Sequence, residues 1–166
     1  GFLISGRMKW DRMANSAAEV GVVFLTIVLV TGPLWARPVW GQYWVWQDAR
    51  LITTLVLWIY FTIYLLLRRG WRGDPQGLRF AAVIGIVGFL DVPIIYLSVK
   101  WWNYIHPRHV VGPMGGGMDP RMAKAFLIST IALLIVWIAL LGQRYRLEAS
   151  RDRVRVLARL SAREGT

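Results

Sequence analysis

An all-α, polytopic membrane helix bundle with four transmembrane helices is what this 166-residue sequence predicts. Three observations predict it. The composition is 56% hydrophobic and only 17% charged, with a mean hydropathy of +0.45, an unfavourable balance for a chain facing water on every side. Four apolar stretches, Val20 to Ala36, Leu51 to Leu67, Phe80 to Val99 and Ala125 to Gln143, contain one charged side chain between them, Asp91. Each is long enough to cross a bilayer as a helix, which takes about 17 to 25 residues. The basic residues, which give a net charge of +11, flank these stretches rather than forming a face of their own. In that position they set membrane orientation, and no nucleic-acid partner is expected.

Taken in order, the chain opens at Gly1 on an apolar stub, Gly-Phe-Leu-Ile-Ser, that reads as the tail of an earlier helix and lacks the zones of a signal peptide. The spans are expected at about 17–36, 51–67, 80–99 and 125–143 within one domain, 1–166. Arg7, Lys9 and Arg12, then Arg68, Arg69, Arg72 and Arg79, and then seven Arg of the tail 144–166 fall on one side of the bundle. Arg37, Arg50, Lys100, Arg108 and Arg121 fall on the other. Short Lys/Arg-rich connections stay cytoplasmic, so both termini are expected there. The connection at Gly73-Asp74-Pro75 reads as a tight helix-to-helix joint. In the tail, Leu147, Val154, Leu157 and Leu160 stand near helical spacing among Arg and acidic residues. Two readings are open: a basic amphipathic helix on anionic lipid or a cytoplasmic partner, or an exposed helix continuing the last span.

The unusual chemistry lies in the two outer loops, 37–50 and 100–124. Trp35, Trp40, Trp44, Trp46, Trp101 and Trp102, six of the ten tryptophans, gather there. An aromatic belt explains Trp at headgroup depth but should populate both interfaces. The alternative is a platform for a large flat ligand such as haem, with Gly41 allowing close backbone approach and Arg37 or Arg50 pairing with its carboxylates. Arg50 is equally placed to pair with Asp48. The two histidines, His106 and His109, both follow Trp101 and Trp102, and haem iron takes an imidazole as axial ligand. With no cysteine, covalent thioether attachment is excluded. A rival reading takes Met114, Met118 and Met122 as thioether ligands for copper, although the glycines between them give little support to a fixed site. Asp91, within the third span, is a candidate for protonation, for pairing with a basic group, or for bonding backbone freed by Pro93. No nucleophile with a base and no phosphate-binding loop is present, so hydrolytic chemistry is not expected of this chain.

The run Trp40-Gly41-Gln42-Tyr43-Trp44-Val45-Trp46-Gln47-Asp48-Ala49-Arg50-Leu51 resembles the tryptophan-rich WWD signature of haem-handling membrane proteins, and its Asp-Ala-Arg-Leu ending is similar to the cytochrome c maturation protein C branch. Ala18-Glu19-Val20-Gly21, Pro93-Ile94-Ile95, Ser98-Val99-Lys100-Trp101-Trp102-Asn103 with His106, and Met118-Asp119-Pro120-Arg121 extend the resemblance over nearly the whole chain. It implies a protein of the bacterial inner membrane that holds haem b non-covalently at the outer face and passes it to a periplasmic, membrane-anchored haem chaperone for cytochrome c biogenesis. It implies as partners the subunits of an ABC-type exporter and a small single-span helper. Carried over by position, Trp40, Gly41, Trp44, Trp46, Asp48 and Arg50 form the platform, beside Trp101 and Trp102, and His106 is the axial iron ligand. Two departures stand out. Gln47 separates Trp46 from Asp48 where the family has Trp and Asp adjacent, so either a bulge absorbs it or Asp48 is redirected. The family also has six spans, which places the second axial ligand upstream of Gly1. A structural or docking subunit without haem is the remaining alternative.

Overall fold

The computed structural model describes residues 1–71, 74–102 and 117–164, all in helices and short connections among these. After a short turn of helix, α1 (Phe2–Ser5), come four long helices: α2 (Met8–Trp40), α3 (Ala49–Gly70), α4 (Pro75–Trp101) and α5 (Pro120–Glu164). All four are long and apolar enough to cross a membrane. Each apolar run therefore lies within one helix, whose backbone groups are satisfied internally as hydrocarbon requires.

The ends of the helices are set by local chemistry. Gly41 closes α2 in the left-handed region, at φ 77°, where its N–H bonds to the Arg37 carbonyl at 3.0 Å. Trp40 is consequently the last residue of α2 and not part of a loop. Asp48 caps α3, its carboxylate accepting from the Leu51 N–H at 3.1 Å. Asp74 caps α4 in the same way, accepting from Gln76 and Gly77 N–H at 3.0 and 2.9 Å, with Pro75 preset for the first turn. Trp101 ends α4 and Trp102 follows as its C-cap. The tail does not leave the last span: α5 runs unbroken for 45 residues, about 67 Å at 1.5 Å per residue.

Helices α2, α3 and α4 pack together, with α3 against both neighbours, and α5 packs on α2. The buried centre is small: Ala18, Tyr64 and Ala81, with Phe61, Leu65 and Ile84 around them. Small residues let the backbones approach, as membrane helices do in the absence of a hydrophobic drive between them. Trp58 of α3 donates through Nε1 to Thr26 Oγ1 of α2 at 2.7 Å. At the α3–α4 joint, Gly77 lies so close to Trp71 that a Cβ there would clash with the Trp71 side chain. Gly77→Ala is therefore expected to cost about 1–3 kcal/mol by overpacking, read as a lower unfolding midpoint of the detergent-solubilised protein.

The three basic segments meet at one end of the bundle. Arg68 of α3 forms a two-pronged pair with Asp11 of α2, both buried. Arg144 of α5 pairs with Glu19, and Arg12 with Asp152 at 2.8 Å. By contrast, residues 121–140 of α5, its membrane-crossing part, are exposed at every position but Thr130.

Candidate functional site

The opposite end carries the tryptophans. The chain alternates up and down, which brings the last turn of α2, the connection to α3 and the end of α4 to one end. There Trp35 and Trp40 meet edge to face with ring centroids 5.2 Å apart. Trp44 and Trp46 do the same at 5.8 Å, and Trp101 and Trp102 at 5.7 Å. The members of the first pair lie five apart on α2, and those of the last are adjacent at the end of α4.

The connection between α2 and α3 is anchored from below. Val45 and Asp48 are buried, while Trp46, between them, is 70% exposed. The Asp48 N–H bonds to the Val45 carbonyl at 3.2 Å, closing a four-residue turn whose central residues are Trp46 and Gln47. This turn takes up the extra Gln47. The Asp48 carboxylate caps the start of α3. Beside the turn, Arg37 bonds to the Gly41 carbonyl and lies over the Tyr43 ring at 5.4 Å. Its guanidinium braces the end of α2. Arg50 is half-buried in the first turn of α3.

Trp44 is the informative member. Its ring is half-buried and its Nε1 is buried without an acceptor among the described residues. A buried indole N–H normally has a partner, and leaving one unmade costs about 1–3 kcal/mol. An exposed indole at Trp46, its edge-to-face neighbour Trp44 and the Trp44 N–H that no described residue accepts suit a flat apolar guest bearing an acceptor. The residues present thus fit a carboxylate-bearing planar group such as haem. His106 and His109 lie outside the described residues, as does Met114.

The sequence reading missed the polar cluster at the basic end, where Asp11, Asn15, Ser16, Arg68 and Glu148 are buried. The signal was the position of the acids. The chain has nine Asp and Glu, of which Asp11, Glu148 and Asp152 fall within its basic segments and Glu19 stands at the edge of the first apolar run. An acid so placed is set to be paired. Asp91, halfway along α4, keeps one buried carboxylate oxygen without a partner among the described residues.

Residues 3–159 match the family model for "Heme exporter protein C". Among similar proteins, the Heme exporter protein C of Bradyrhizobium diazoefficiens is 41% identical over 166 residues, covering 95% of this chain and 62% of that protein. The Heme exporter protein C of Escherichia coli strain K12 is 35% identical, covering 84% of this chain and 56% of its own length. A cytochrome c biosynthesis ccmC-like mitochondrial protein of Marchantia polymorpha is 35% identical over 121 residues, 73% of this chain and 50% of that protein. The chain spans between half and two thirds of the length of these relatives.

Proposed function

The chain belongs to the heme exporter protein C family, and from that premise we propose that it binds haem non-covalently at its tryptophan-rich end and hands it on for cytochrome c biogenesis. The observation that carries this reading is the pairing of the 70% exposed Trp46 ring with the buried N–H of Trp44, which finds no acceptor among the described residues. Trp46 offers a face for a porphyrin-sized ring system, and Trp44 offers a donor for a carboxylate at its margin. Trp101 and Trp102, each more than half exposed at the end of α4, extend the apolar surface. His106 supplies the imidazole that haem iron takes as an axial ligand. Asp48 acts indirectly, by capping α3 and so fixing the turn that presents Trp46.

The setting is the bacterial inner membrane, with the tryptophan-rich end on the outer face and the Arg-rich end in the cytoplasm, as the positive-inside rule orients it. Haem then passes to a periplasmic, membrane-anchored chaperone, with ABC-type exporter subunits and a single-span helper as neighbours. The chain contributes binding and orientation. Energy from ATP belongs to another subunit.

The test is an absorption spectrum of the purified protein, oxidised and then reduced, with haem added. A Soret band with sharp reduced bands is expected for imidazole-ligated haem, and its intensity should fall in Trp44→Phe, which keeps an aromatic face but removes the N–H. A protein that neither carries nor takes up haem would sink the reading and favour a docking subunit. Copper in place of haem would move the site to the methionines.

A further inference from the structure

The Arg-rich end of α5 is a separate feature. Past Gln143 the helix continues for about 30 Å more, at 1.5 Å per residue. Glu148 is buried, and Arg144 and Asp152 form ion pairs with α2, so these three mark the side of α5 that α2 covers. Leu157 lies nine residues beyond Glu148 and so, at about 100° per residue, on the opposite side of the helix. Val154, Leu157 and Leu160, three residues apart, are 65%, 65% and 50% exposed there. Arg146 and Arg153 share that side, and no ion pair joins either of them to a described residue, whereas Arg144, Arg151 and Arg155 are paired.

Three occupants compete for this stripe. Lipid is out of reach: Leu157 and Leu160 lie about 20–25 Å along the helix beyond the end of the apolar run, whereas headgroups extend only about 5–8 Å beyond each side of the hydrocarbon core. A second copy of the tail would set Arg146 and Arg153 against the same positive charges. A water-soluble protein with an apolar groove rimmed by acidic side chains meets both the stripe and the charges. We propose that the free face of α5 beyond the membrane, Val154, Leu157 and Leu160 with Arg153 beside them, docks an acidic-rimmed groove on a water-soluble protein at the Arg-rich side of the membrane. The inference does not depend on haem binding at the other end.

The experiment uses the full chain in its own membrane, with a photoreactive benzophenone amino acid at Leu157 and, separately, at Ile135 within the membrane-crossing part. Adducts are identified by mass spectrometry. The expected result is one water-soluble protein cross-linked from position 157 and not from 135. Arg153→Glu should lower that yield about tenfold or more, the loss of about 1.4 kcal/mol or more, while Arg153→Lys retains it. An unchanged adduct pattern from position 135 in the charge-reversed chain shows that the helix still inserts. Adducts with lipid, with a second copy or with no protein, or a protein adduct indifferent to charge reversal, would overturn the proposal.

Discussion

Alanine at His106 is expected to strip haem from the purified chain. The imidazole is the group in the outer segments best suited to haem iron, and the tryptophans alone supply only apolar contact and a donor. Haem retention should fall by about tenfold or more, since each ~1.4 kcal/mol lost from binding is a factor of ten. The check is haem content per chain by pyridine haemochrome assay, alongside the Soret band. Free imidazole added to His106→Ala should restore the band if the side chain is an iron ligand, because it supplies the same donor atom to the iron. His109→Ala provides the comparison. Haem content unchanged in His106→Ala would remove His106 from the site and leave the tryptophan platform to be tested separately.

The second large effect is expected at the other end. Removing the carboxylate of Asp11 leaves the Arg68 guanidinium buried without its partner, and breaking one side of a buried pair typically costs about 3–5 kcal/mol. Asp11→Ala should therefore lower the unfolding midpoint of the solubilised protein sharply. Replacing both residues by apolar ones of similar size, Asp11→Leu with Arg68→Met, should recover most of the loss, since the pair's desolvation cost disappears with it. If the single and the double variants were equally unstable, packing rather than charge would hold α2 to α3 at this point. Arg12→Ala, by contrast, breaks a pair that is about a quarter exposed and should change little.

The elements of this fold were legible in the sequence because bilayer thickness imposes a length on every apolar run. Helix ends were less so. The reading placed Trp40 in the loop 37–50 because the apolar run ends at Ala36, yet α2 continues through Arg37 and Pro38 and stops at the glycine, whose backbone can take the left-handed shape. The beginning of α4 at Pro75 rather than Phe80 follows from Asp74, a capping residue that apolar counting overlooks. At the candidate site, Trp44 and Trp46 were identified by type, but their unequal exposure was not, because it depends on the four-residue turn that Gln47 completes. The capping bond from the Leu51 N–H to Asp48 went unread, because a carboxylate beside Arg50 drew attention to an ion pair instead. The pairs at the basic end join residues up to 140 positions apart, and no local pattern reports such a distance.

The way α5 is fastened has a mechanical side. Its membrane-crossing residues 121–140 stand almost wholly clear of the other described helices, while opposite charges grip it near the basic end through Glu19 and Arg12. A rod clamped at one end acts as a cantilever, and an unbroken helix transmits a tilt at the clamp along its whole length. Partly exposed ion pairs weaken as salt rises. Raising the ionic strength is therefore expected to loosen the clamp and to widen the swing of α5 about it.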